Sequence, residues 1–200
     1  MKNQYKLHGY FQLHIDQENI TPSTACKSRG MTLDKHMNME AQIKYICRSA
    51  NFHLRNIRII RDLVTPEAAE QLVHSLITSS LDYCNSLLYG LPSVRTGLLQ
   101  RVQNMAVRLV TGTAIDDHIT PVFKSLHWLP IKFRILFKFL LLTYKCVNNL
   151  APPYLCSLVK LDTRSRVLRS NGQFHLKVPR SRLVTYGDSF FLCDWSKGVE

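Results

Sequence analysis

Along most of the chain, apolar residues recur at helical intervals. Ile43, Cys47, Ala50, Leu54, Ile57 and Val64 fall three, four or seven residues apart, which places them on one side of a helix predicted over residues 38–61. A second helix is predicted from Thr65-Pro66, where a hydroxyl cap, a proline at the first helical position and Glu67 in the first turn coincide. Its inner side is Ala69, Leu72, Val73, Leu76 and Ile77, and the pattern fades near Ser79-Ser80. Gly90-Leu91-Pro92 is a break. Beyond it Ser93 is the expected cap of a third helix that runs to about Val110 and stops at Gly112, with Leu98, Leu99, Val102, Ala106, Leu109 and Val110 facing inward. Thr120-Pro121 opens a short helix that ends by Leu129-Pro130. A last long helix is predicted over residues 131–148, closed by Asn148-Asn149 and Ala151-Pro152-Pro153.

The two ends read differently. YFQLHI at residues 10–15 alternates as a strand does, residues 16–19 are turn-like, and a second extended segment reaches Leu33, so the start of the chain is predicted to be a small β-hairpin. After Leu161, Arg164, Arg166, Arg169, Lys177, Arg180 and Arg182 stand among small and polar residues, a basic arm with room for one short strand at 174–178. The predicted fold is therefore mainly α: a bundle of four to five helices over residues 37–161, a small N-terminal β-hairpin over 1–36 and a basic C-terminal arm over 162–200. Between the second and third helices, SLDYCNSLLYG holds Asp82, Tyr83 and Asn85 among leucines, a pattern that fits a buried polar junction in which Asp82 is structural.

Charge narrows the partner class. Among 200 residues, 26 Lys and Arg stand against 14 Asp and Glu, a formal net charge of +12 that suits a polyanion, nucleic acid ahead of an anionic membrane surface. Lys44, Arg48, Arg55 and Arg58 form a basic stripe on the first helix, offset from its apolar side, and Arg101 and Arg108 share a side of the third. An ordinary solvated face explains such a stripe equally well. The six cysteines form no CxxC and no zinc-finger spacing, and read as buried free thiols of a reducing compartment. The most apolar stretch, residues 135–147, is interrupted by Lys138 and Lys145 and is too short to span a bilayer, and the N-terminus has no apolar signal core. A soluble protein of the nucleus or cytoplasm, not secreted and not membrane-bound, is the expectation.

No active site is legible. A two-metal nucleotidyl transferase needs converging carboxylates, whereas Asp34, Asp82 and Asp116 lie on separate segments and are expected not to meet. Asp116-Asp117 reads as a cap or turn pair, His118 and His127 fit no metal-ligand spacing, and there is no GxSxG elbow or glycine-rich phosphate loop. No cofactor or metal is expected. Aromatic and basic residues interleave at Lys132-Phe133-Arg134 and Phe137-Lys138-Phe139, where rings either stack on bases or pack inward, and helix-period packing is favoured.

The run SLDYCNSLLYGLP, followed in order by LLQRVQNMAVRLVTG, DDHITPV, SLHWLPIKFRILFK, LLLTYK and APPYL, resembles the region downstream of the reverse transcriptase core in non-LTR retrotransposon polyproteins of the LINE, chicken-repeat-like type. Upstream, residues 20–34 with their RGMTLD ending resemble the family's last palm hairpin, where the pattern is LGVxLD, and SANFHLRNIRIIR resembles the first thumb-like helix. VLRS and VPRSRLVTYGD extend the resemblance to roughly residues 13–188, whereas SFFLCDWSKGVE leaves the family pattern as a frameshift, exon boundary or decayed copy would. The family's two metal-binding aspartate motifs precede the matching region. The resemblance therefore implies a non-catalytic fragment that retains backbone binding to RNA, DNA or an RNA/DNA hybrid. Lys44, Arg48, Arg55 and Arg58 would meet phosphates, with Arg101, Arg108, Arg164, Arg166, Arg169, Lys177, Arg180 and Arg182 as secondary contacts. An unpaired hairpin edge would favour self-association. The alternatives are a retroelement remnant with no selected function and a domesticated helical protein-interaction module.

Overall fold

The computed structural model describes residues 13–15, 18–20, 23–36, 38–159 and 176. The chain divides into two compact units, Met1–Gln42 and Ile43–Glu200.

The first unit holds two hairpins. β1 (Leu13–Ile15) pairs antiparallel with β2 (Glu18–Ile20), and β3 (Ala25–Ser28) pairs antiparallel with β4 (Met31–Asp34). The expected small hairpin is present, but Glu18 and Asn19, expected in its turn, are strand residues of β2, and the second extended segment is itself a hairpin. Arg29 and Gly30 make its turn with φ of 46° and 81°, the paired positive values of the tight turn whose twist matches the strands. A Cβ on Gly30 would meet no atom within 4 Å, so backbone conformation and not crowding favours glycine there. β3 is exposed along its length, whereas Met31 on β4 is buried. Asp34 then brackets the chain ahead of α1 (Glu40–Ile60): its carboxylate accepts the backbone N–H of Met39 at 2.8 Å and of Asn38 at 3.1 Å. Burial raises the Asp34 pKa, but these backbone donors outweigh it and hold the carboxyl below its usual value. Gln42, itself buried, accepts the Thr32 N–H at 2.9 Å.

The described part of the second unit is helical over most of its length. α1 buries Ile43, Ala50, Leu54 and Ile57 of the predicted apolar side and adds Ile46, with Cys47 half-buried beside them. α2 (Pro66–Val73) starts as expected, with Thr65 Oγ1 accepting the Ala68 N–H at 3.3 Å. It does not fade at Ser79: a π-helical stretch (His74–Thr78) leads into α3 (Ser79–Asp82). The buried residues Ala69, Val73, Ile77 and Leu81 explain the wide turn. Steps of four residues overshoot a 3.6-residue turn by about 40° each, and underwinding by one π turn returns them to a single face. Leu76, placed inward by the sequence, is thereby 37% exposed.

α4 (Ser93–Thr111) is the central helix and contacts α2, α5 (Thr120–Ser125) and α6 (Ile131–Val147). Ser93 is not its cap: the helix begins after Pro92 with no side-chain cap bond, because the proline supplies the extended backbone and Ser93 is already helical. Gly112 ends it in the left-handed region at φ 71°, as predicted. Leu99, Val102, Ala106, Leu109 and Val110 are buried, joined by Val107 and Gln103, whereas Leu98 is half outside. Phe139 of α6 is almost wholly buried and stacks on Tyr89 with ring centroids 4.2 Å apart. One further turn, α7 (Pro153–Cys156), packs on α6 and lies within the Pro-Pro stop signal, where the second proline takes the first helical position. No helix among the described residues is long and apolar enough to cross a membrane. The basic arm lies outside the described residues, and of the strand expected at 174–178 only Leu176 is among them.

Candidate nucleic-acid interface

The exposed side of α1 follows from its buried side. With the apolar stripe turned inward, Lys44, Arg48 and Arg55 lie about a third of a turn from it and Arg58 nearer its edge, and all four are exposed. From Ala41 to Arg61 the sequence has no Asp or Glu. Tyr45, Phe52 and Ile59 stand on the same outer side at seven-residue intervals and are 57%, 59% and 75% exposed. Arg48 falls between Tyr45 and Phe52, and Arg55 between Phe52 and Ile59. The sequence pattern singles out the basic stripe and not this apolar row, which lies opposite the buried side.

The other basic candidates separate. Arg101 on α4 is exposed. Arg108 is half-buried and occupied otherwise: Nε donates to the Ala114 carbonyl at 3.0 Å, and Nη2 to the carbonyls of Ile115 at 2.8 Å and Asp117 at 3.1 Å, so it clamps the loop after α4. Arg164, Arg166, Arg169, Lys177, Arg180 and Arg182 lie outside the described residues. Arg61, one turn beyond Arg58, works inward. Its Nε donates to the Leu109 carbonyl and Nη2 to the Val110 carbonyl, both at 2.9 Å, and Nη1 reaches the Val64 carbonyl at 3.3 Å. A cation thus closes the last turn of α4 and ties α1 to it.

Several polar side chains elsewhere tie the helices together. Asp82 accepts from Arg134 Nη1 at 2.7 Å and from Asn85 Nδ2 at 3.3 Å, so a polar junction forms in SLDYCNSLLYG, but of its three polar residues only Asn85 is buried and Tyr83 is exposed. Gln103 donates to the Leu129 carbonyl at 2.8 Å, and Gln100 accepts the Ile131 N–H at 2.8 Å while donating to Gln103 and Asn104. The QRVQN segment is thus a polar rack that starts α6. Trp128 Nε1 donates to Glu70 at 3.1 Å and its ring lies 4.8 Å from His74, so the HWLP segment locks α2. A cleft of about 240 Å³ beside this junction is lined by Asp82, Asn85, His127, Arg134, Phe137 and Lys138, among others. Among the described residues no three His, Cys, Asp or Glu side chains gather as they would around a metal ion.

No family model, curated protein or solved structure matches the chain. The functional reading therefore rests on the site itself.

Two expectations need correction. Phe139 packs inward, but Phe133 and Phe137 are 51% and 57% exposed. With Leu140 and Tyr144 they make an outer apolar stripe on α6, opposite Ile131, Ile135, Phe139 and Cys146. The helix has more apolar positions than one core face can absorb. The cysteines are not uniformly buried: Cys146 is, Cys47, Cys84 and Cys156 are half-buried, Cys26 is exposed on β3, and Cys193 lies outside the described residues. Burial pushes the Cys47 thiol pKa up, and burial together with the neighbouring Cys156 does the same to Cys146, so neither is an activated nucleophile.

Proposed function

We propose that this chain is a non-catalytic, retroelement-derived module that binds the phosphate backbone of RNA, DNA or an RNA/DNA hybrid through the outer side of α1. The observation that carries the reading is the exposure of Arg48, Arg55 and Arg58, with Lys44 one turn before them, on a helix whose sequence has no acid from Ala41 to Arg61. Such a surface neutralises successive phosphates and releases counterions, giving affinity with little sequence preference. Arg101 and the arginines and lysine beyond residue 161 add to the chain's positive charge, and the N-terminal hairpin offers a route to self-association. The non-catalytic assignment draws support from what the aspartates do: Asp34 brackets the chain before α1 and Asp82 holds Arg134. Cytoplasm or nucleus is the matching location.

The test is a salt series of binding by the folded chain to labelled RNA, DNA and hybrid. Steeply salt-dependent binding to all three supports the reading, and binding that is absent at low salt overturns it. The α6 stripe favours a second reading, a helical protein-interaction module, because a contiguous apolar row rimmed by Lys132 and Lys138 suits an amphipathic acidic helix. On that reading Phe137→Lys abolishes partner capture and leaves nucleic-acid binding intact.

A further inference from the structure

We propose that the α1 face selects unpaired strands, with Tyr45 and Phe52 as stacking platforms for bases and Arg48 and Arg55 as the phosphate contacts between them. This deepens the nucleic-acid reading and rests on it. Phosphate neutralisation alone gives Lys and Arg on a polar face and has no use for exposed rings. Here the two aromatic residues of α1's outer side are each more than half exposed, on a face with no acid from Ala41 to Arg61. Phe52 meets the His53 ring edge-on, with centroids 5.5 Å apart. That contact braces Phe52 from the side and leaves ring area exposed.

Spacing supports the same ligand. Seven residues of helix advance about 10 Å, and bases stacked along a strand are about 3.4 Å apart. Tyr45 and Phe52 are thus separated by about three stacking steps, which suits bracketing a short run of bases, at the lower end of the roughly 4 to 16 nucleotides bound by known single-strand modules. Ile59 extends the row by one apolar position. In a duplex the base faces are covered by their neighbours, so the rings would meet sugar and phosphate and gain little. Arginine serves both needs, since its guanidinium pairs with phosphate and also stacks.

The experiment compares the full chain and its variants on one unstructured RNA strand carrying 2-aminopurine and on the same strand annealed to its complement. The expected result is tighter binding to the single strand, with 2-aminopurine emission quenched on binding. Phe52→Ala should lose about five- to a hundred-fold on the single strand and little on the duplex. Phe52→Trp should retain both affinity and quenching. Both variants alter a side chain more than half exposed, and circular dichroism checks that the helix persists. Equal affinity for strand and duplex, unaffected by Phe52→Ala but weakened in both by Arg55→Ala, would overturn stacking and leave backbone binding standing. Absence of binding to either would overturn both. Displacement of the strand by poly-glutamate at matched charge, without any change in emission, would assign the face to acidic polypeptide and overturn the proposal.

Discussion

Arg61 and Arg58 are neighbours in one basic stretch, yet substitution should affect them oppositely. Arg61 donates to three carbonyls, two of them at the end of α4 and both at 2.9 Å. A charge-assisted hydrogen bond in a partly buried setting contributes about 1 kcal/mol or somewhat more net, and a cation at a helix C-terminus about 0.3–1 kcal/mol. Solvent can take over some of the freed carbonyls at the end of α4, so Arg61→Ala should lower the unfolding free energy by about 2–4 kcal/mol. Arg58→Ala, on the exposed side, should stay within about 0.5 kcal/mol of the parent. Arg61→Lys keeps the charge but not the planar fork and should recover less than half of the loss. Urea denaturation followed by circular dichroism at 222 nm, with common slopes, measures all three. If Arg61→Ala unfolds within about 0.5 kcal/mol of the parent, the clamp is not a stabilising element.

The other polar contacts have consequences of the same kind. Asp82→Ala leaves the Arg134 side chain, 15% exposed, without its carboxylate and should cost about 1–3 kcal/mol. A double-mutant cycle with Arg134→Ala should show positive coupling, and additivity would count against the pair. Gln103→Leu removes the donor to the Leu129 carbonyl from a buried site and should cost about 1–3 kcal/mol, read by the same unfolding curves; a neutral result would show that the rack is not needed. Asp34 has a folded pKa below its ordinary 3.8, so the stability it contributes is fully present above that value and is lost as pH falls through the lower folded pKa. Amide exchange at Met39 followed by NMR should accelerate over that acid range, and the Asp34→Asn variant should show no such step.

The helical framework is legible in the sequence because its signals are local. Period and caps set α1, α2, α4 and α6 to within a few residues, and Gly112 and Thr65 act as their residue types require. What is not legible depends on partners distant in sequence. Nothing local distinguishes Arg61 from Arg58, since the difference is a pair of carbonyls 48 and 49 residues away. The π turn also escapes, because four-residue spacing fits an ordinary helix over any short window and drifts only over several turns. An average preference places Phe133 and Phe137 inward, and α6 breaks it by carrying two apolar faces. At the candidate interface the cations can be read from the sequence, and the exposure of Tyr45 and Phe52 needs the folded helix.

The most direct test of the account is the salt slope of single-strand binding by the parent chain and by the triple variant Arg48→Ala, Arg55→Ala, Arg58→Ala. Each cation removed from the phosphates of a single strand should flatten the slope of log K against log salt by about 0.7, so three should remove about 2 while helicity stays unchanged. A triple variant that binds with the parent's affinity and slope would contradict the assignment of α1 as the nucleic-acid interface.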